Sequence, residues 1–312
     1  MYNLRRFYNQ NRKAIWRIIL IIAFAIIILQ VLNGFAKNRN NEKITELNTN
    51  NVNKNATTLN GVISKKSSIT GETIDNNKLK ADSDIIDEFI LNCNNKDINK
   101  AYDLLSNDCK NEVFPTIDDF NRIYYQEVFK NGEIIHTIEN WNDNIYKVNM
   151  NENMLSTGIV NDDNQKQDYI TIVKENGEKK LNINGFIEKR AINKQKENNG
   201  IIVKVLDENV YIDYITYNFE ITNTTSLDIM MDSLNGSNTM YIEDNNDMKH
   251  LAYVQELSSG ELFVGSKSST KVKVKYYSKY NSTRIIDKIY FSKIIENYRG
   301  NVEFYSKIMV EI

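Results

Sequence analysis

Two histidines are the residues of this sequence best suited to proton transfer, and they lie far apart. His136 shares a period-two pattern with Ile134 and Ile138, whereas His250 belongs to a distant segment. A histidine beside a carboxylate can act as a general base, but a histidine hydrogen-bonded in a core or at a pocket rim fits the same pattern. A histidine-based metal site needs about three or four ligands, and no further ligands follow at a recognisable spacing. We expect no metal and no cofactor.

Two short motifs resemble chemical sites but lack their context. Residues 268–271 (SSTK) match S-x-x-K, the nucleophile motif of penicillin-binding enzymes, yet they begin a predicted strand and no K-T-G follows. Residues 243–247 (EDNND) resemble a calcium loop without its Gly or its bidentate Glu. We expect a chance match in the first case and a solvated hairpin turn in the second. The sequence therefore predicts no catalytic residue.

The most apolar stretch is residues 14–35 (AIWRIILIIAFAIIILQVLNGF). A helix of this length spans roughly 33 Å, enough to cross a hydrocarbon core of about 30 Å. The cations at its N-terminal end predict that residues 1–13 form a cytoplasmic tail and that the later domains are extracellular. We therefore predict a single-pass protein of the cell membrane. A secretory signal peptide cleaved after Ala36 is the alternative.

The composition of the sequence limits the classes of partner that the protein could bind. Net charge is −2, with acids and bases interspersed, which argues against nucleic acid as a partner. The richness in Asn, Ile, Lys and Tyr fits AT-rich codons of a low-GC, Gram-positive genome.

An exported protein can pair Cys93 with Cys109, but in a helical hairpin they would lie over ~15 Å apart, beyond disulfide reach. We favour free or buried thiols.

Periodicity divides the remaining chain. Residues 36–81 have the composition of a flexible linker. Apolar residues then recur at helical spacing in three segments with N-caps predicted at Ser83, Asp97 and Thr116. After Gly132 the period changes to two, which predicts strands at 133–141, 144–150, 154–160, 168–174 and 179–186. Three helices followed by antiparallel strands indicate an α+β domain.

The segments FILNCNNKDINKAYDLLSNDCK (89–110) and FPTIDDFNRIYYQEVF (114–129) resemble the start of the nuclear transport factor two-like superfamily, in its extracytoplasmic Firmicutes form. Residues 101–105 (AYDLL) and 116–120 (TIDDF) fill its helix and cap patterns, whereas residues 181–183 (LNI) replace a usual Trp-Lys-Ile. For residues 82–190 the resemblance implies an α+β cone, with three helices on a curved antiparallel sheet. It also implies a pocket that His136, Tyr124 and Trp141 would line.

Residues 201–312 follow a polar joint at 191–200 and show period two almost throughout. Their strand pattern resembles the immunoglobulin-like domains of exported Firmicutes proteins, which implies an antiparallel β-sandwich. Lys271, Lys273 and Lys275 alternate along one such strand. A row of this kind attracts an anionic wall polymer or lipid headgroups, or is the solvated face of a strand, or guards a sheet edge against pairing.

Two hypotheses for function follow. The first is a non-enzymatic, membrane-anchored scaffold of the cell envelope, for example in a conjugation or secretion assembly. It would bind a protein partner or a second copy through surface aromatics, with tyrosines 124, 125, 276, 277 and 280 as candidates. The alternative is a small-ligand pocket, binding or catalytic, in the cone of residues 82–190.

Overall fold

Strands dominate the computed structural model, which describes residues 61–153, 165–232 and 239–312. Strand accounts for 48% and helix for 22% of them. The strands are β1 (Val62–Ser64), β2 (Ile134–Asn142), β3 (Ile145–Glu152), β4 (Lys166–Glu175), β5 (Glu178–Asn182), β6 (Phe186–Asn198), β7 (Ile201–Tyr211), β8 (Ile215–Asn223), β9 (Ile229–Met230), β10 (Met240–Asp244), β11 (Lys249–Leu251), β12 (Phe263–Val264), β13 (Ser268–Tyr276), β14 (Ile286–Glu296) and β15 (Phe304–Glu311).

The helices are short apart from the first. They are α1 (Asn76–Asn94), α2 (Ile98–Asp103), α3 (Asn107–Glu112), α4 (Ile117–Phe120), α5 (Gln126–Phe129) and α6 (Ser259–Leu262), with a π-helical turn at Asn121–Tyr125 and a 3-10 turn at Val254–Glu256. Asp75 caps α1 by accepting hydrogen bonds from the backbone N–H groups of Asn77 and Lys78, which satisfies two donors that a helix start leaves unpaired.

The first sheet has the order β1-β2-β3-β4-β5, with β1 parallel to β2 and the other neighbours antiparallel. The apolar side of α1 packs into the same hydrophobic cluster as the buried side chains of this sheet, among them Phe89 with Tyr146 and Val148. Each large apolar side chain buried in this way contributes roughly 1.5–3 kcal/mol. Burial on this side fixes which face of α1 is exposed.

Two further sheets enclose a second core. One has the order β11-β10-β14-β9-β12, with β15 on the other edge of β14, and the other has the order β13-β8-β7-β6. Phe219 of β8 meets Phe291 of β14 edge to face, with ring centroids 5.3 Å apart. Because these strands belong to different sheets, the contact shows that the two sheets face each other across the core.

The two hydrophobic clusters belong to one compact unit. Strand β6 contributes Phe186 to the first cluster and Ile187 to the second. Residues 191–200, expected as a polar joint, lie mostly in this strand, which pairs with β7 along its length. Glu112 adds a polar link, because its carboxylate binds Lys189 of β6 at 2.5 Å and Lys273 of β13 at 2.8 Å.

The predicted α+β cone on a membrane helix is wrong as a fold class. The described chain is mostly strand, and only α1 exceeds six residues among its helices. The helical spacing between 97 and 129 misled the prediction because it is divided among short helices and a π-helical turn. The polar stretch at 191–200 looked like a linker because β6 is an edge strand whose side chains face solvent.

The prediction of a membrane protein is not supported by the described residues either. In residues 61–153, 165–232 and 239–312 no helix is both long enough and apolar enough to cross a membrane. The stretch at 14–35 that suggested a single-pass span lies outside the described residues. The described residues do not support the membrane and single-pass assignments, and the location at the cell membrane stays a prediction.

Several local predictions can be compared with the structure. The helix starts at Asp97 and Thr116 are confirmed, but Ser83 lies inside α1 and bonds the carbonyl of Lys80 instead of capping. The strands predicted near 133–141, 144–150 and 168–174 are present, the one at 179–186 is split between β5 and β6, and 154–160 lies outside the described residues. Both cysteines are free and buried, as favoured.

Candidate functional site

Tyr124, predicted to line a pocket, is buried in an aromatic cluster. Its ring stacks on Phe120 and packs against Phe89 and Phe114. Its hydroxyl donates to Asp168 at 2.8 Å. That carboxylate also accepts the backbone N–H groups of residues 169, 184 and 185. The pair therefore links the π-helical turn, strand β4 and the turn at residues 184–185 inside the first core.

Trp141 belongs to β2 of the first sheet but packs against the second hydrophobic cluster. Its ring contacts Tyr169 at 5.0 Å and Tyr280 at 5.6 Å between centroids. Asn142 donates to the hydroxyl of Tyr280 at 3.3 Å. This placement suits a residue that holds the two parts of the fold together, and it separates Trp141 from both other predicted pocket residues.

His136 faces a surface groove beside α1. Its Nε2 lies 2.6 Å from a carboxylate oxygen of Asp87. The groove encloses about 570 Å³ and is also lined by Asp84, Glu88 and exposed apolar side chains. The three predicted pocket residues thus occupy three different places, and the structure brings none of them together.

His250 belongs to a polar cluster that the sequence did not reveal. Its Nε2 lies 3.0 Å from Asp244, which also binds Arg284 at 3.3 Å. Burial alone would raise the pKa of Asp244, but the hydrogen bond from His250 and the backbone N–H groups of Asn246 and Met248 hold that pKa below its ordinary value. The segment expected as a solvated hairpin turn is therefore held by a buried carboxylate. The alternation of apolar residues in the sequence does not show that His250 and Asp244 would lie together.

A group of exposed apolar side chains lies on the hairpin between β14 and β15. All eight residues from 298 to 305 are exposed. Val302, Phe304 and Tyr305 are each more than half exposed, at 59%, 54% and 57%. Large side chains of this type rarely cluster on a free surface without a binding role. We call residues 298–305, together with the adjacent Lys293, the hairpin patch.

Internal contacts hold the hairpin patch in a defined shape. Asn297 donates its side-chain amide to the carbonyl of Val302 at 2.7 Å, and its own carbonyl accepts the N–H of Gly300 at 2.8 Å. The hydroxyl of Tyr305 donates to Glu303 at 3.0 Å, which raises the pKa of this tyrosine. Fewer degrees of freedom remain to be lost on binding, so a preformed patch of this kind favours association.

Two cations lie over aromatic rings of this region. Arg299 lies 4.3 Å from the ring centroid of Phe263, and Lys293 lies 4.6 Å from that of Tyr305. Neither cation takes part in an ion pair within the described chain. Aromatic residues and arginine are enriched at protein interfaces and carry much of their binding energy. The patch is chemically suited to bind a protein surface that offers carboxylates.

The predicted surface tyrosines are mostly buried. Tyr124, Tyr125 and Tyr276 are almost fully buried, and Tyr280 is partly buried against the second cluster, whereas Tyr277 is 46% exposed. The predicted row of lysines is also partly engaged. Lys273 binds Glu112, and Lys275 lies between the rings of tyrosines 214 and 253, 4.4 and 4.5 Å from their centroids. The sequence indicated aromatic surface patches, but among the predicted tyrosines only Tyr277 is exposed.

The comparisons with known proteins give no function. No protein-family model matches the chain, and no curated protein matches it. A solved structure described as a conserved hypothetical protein from Bacillus anthracis aligns with 38% of this chain and 95% of its own, at 16% identity and a TM-score of 0.25. None of this tests the resemblance to the nuclear transport factor two-like superfamily or to immunoglobulin-like domains, which stay predictions.

Proposed function

We propose that this protein acts by binding other protein chains, as a non-enzymatic scaffold or adaptor, and that the hairpin patch is its contact surface. The observation that carries the proposal is the run of eight exposed residues at 298–305, in which Val302, Phe304 and Tyr305 present apolar surface to solvent. Burying apolar area of this kind is the main favourable term in protein association.

The alternative expectation, a small-ligand pocket, has less support. Tyr124 packs in the first core and Trp141 packs against the second, so neither lines the groove that contains His136. The groove is open to solvent and has only one of the three residues expected in it. An extended surface suited to another chain accounts for the exposed apolar residues better than an enclosed ligand site does.

The experiment is site-specific photocrosslinking of the full chain in its own cells. A photoreactive benzoylphenylalanine replaces Val302 in one variant and Ile285 in the other. Ile285 is a matched control, because it is 61% exposed but lies just before β14, at the end remote from the hairpin. We expect a crosslinked protein band from position 302 and none from position 285. No crosslink from position 302, or equal crosslinking from both, would overturn the proposal.

A further inference from the structure

The groove beside α1 and the hairpin patch differ in charge. The groove is lined by three carboxylates (Asp84, Asp87 and Glu88), and no lysine or arginine belongs to its described lining. Asp84 is paired with Lys80 and Asp87 with His136, whereas Glu88 is exposed and has no ion-pair partner in the described chain. The groove therefore offers a free negative charge.

The same groove also offers apolar surface. Leu91 of α1 is 58% exposed and Ile135 of β2 is 51% exposed, and both belong to the groove lining. The hairpin patch combines exposed Phe304 and Val302 with the cations Arg299 and Lys293, neither of which has an ion-pair partner in the described chain. Its one carboxylate, Glu303, accepts the hydroxyl of Tyr305. Each surface thus has the apolar side chains and the charge that the other would need.

We propose that the hairpin patch of one copy binds the groove beside α1 of a second copy. This inference rests on the proposed function and names the partner. Contact of Phe304 and Val302 with Leu91 and Ile135 would bury apolar surface between the two copies. An ion pair between Arg299 and Glu88 would fix the orientation of one copy on the other. Because the two surfaces are different, the contact is heterologous, and repetition would give a ring or a filament.

Charge reversal tests the proposal with the purified full chain. Sedimentation velocity over a wide concentration range compares the parent protein with Arg299→Glu, Glu88→Arg and the variant that carries both. Each single reversal places like charges together, so we expect association to weaken by about tenfold or more. The double variant restores opposite charges across the contact and should recover association. Lys174→Glu, an exposed reversal on β4, is the control and should have no effect.

The outcomes separate this inference from the proposed function. A parent protein that stays monomeric, or single reversals without effect, would overturn binding to a second copy. Crosslinking of a different protein at position 302 would in that case still support a protein-binding role. Failure of both experiments would overturn both claims.

Discussion

The rings of Trp141 and Tyr280 lie 5.6 Å apart between centroids, and through this contact strand β2 of the first sheet packs against the second hydrophobic cluster. Replacing Trp141 by Ala removes this contact from a partly buried position, so we expect the free energy of unfolding to fall by about 2–3 kcal/mol. Urea denaturation followed by circular dichroism measures the change. Ile285→Ala at an exposed site should cost less than about 0.5 kcal/mol. A Trp141→Ala protein as stable as its parent would contradict this structural role.

The hydrogen bond from Tyr124 to Asp168 gives a second prediction. Tyr124→Phe removes one of the donors to a buried carboxylate, and we expect a loss of about 1–2 kcal/mol in the free energy of unfolding. Tyr125→Phe is the matched control, because this neighbouring buried tyrosine makes no hydroxyl hydrogen bond within the described residues. Equal effects of the two substitutions would show that the bond to Asp168 contributes nothing specific.

Asp244 should make stability depend on pH in the acidic range. Its pKa is held below the ordinary value of 3.8 in the folded chain. The charged form therefore stabilises the fold above the unfolded-state pKa, and this contribution is lost as the pH falls through the lower folded-state pKa. Asp244→Asn should cost roughly 1–3 kcal/mol at neutral pH, and the difference from the parent should shrink below about pH 4.

The control for this pH dependence lies in the same turn. Asp247 is exposed, so Asp247→Asn should leave the free energy of unfolding nearly unchanged at every pH. Denaturant titrations of the three proteins between neutral and acidic pH supply the measurement. A difference between the parent and Asp244→Asn that stays constant with pH would contradict the assignment.

The two thiols should be unreactive in the folded protein. Burial raises the pKa of Cys93 above its ordinary value and raises that of Cys109 to about 12. Because the thiolate is the reactive form, we expect almost no modification by a disulfide reagent under native conditions and modification of both cysteines in urea. Rapid modification of the native protein would show that one of these helices opens easily.

Local structure was predictable wherever capping and periodicity agree. Thr116 begins a helix because its side chain accepts the N–H of Asp119, and the strands near His136 follow the alternation of apolar residues. Other helix ends could not be predicted from the sequence. The N-cap at Asp75 was missed because the first turns of α1 are polar except for Leu79. A polar helix start resembles a linker when only composition is considered.

The candidate surfaces could not be predicted from the sequence because exposure depends on the partners that each strand finds. Tyr276 and Tyr277 are neighbours in the chain, yet one is buried and the other is 46% exposed. Phe304 alternates with residues of a strand in the same way that core phenylalanines do. Ile308 and Val310 continue the same alternation and are buried, so only the structure shows that the end of β15 at Phe304 faces solvent.

The most direct test of self-binding mixes two variants that each lack one surface. Phe304→Ser removes apolar area from the hairpin patch, and Leu91→Ser removes it from the groove. Both positions are more than half exposed, so neither change should destabilise the fold by more than about 0.5 kcal/mol. Sedimentation velocity should show that each variant alone is monomeric, and that an equal mixture forms dimers that grow no further. Continued association of Leu91→Ser alone, or no dimers in the mixture, would contradict a contact between hairpin and groove.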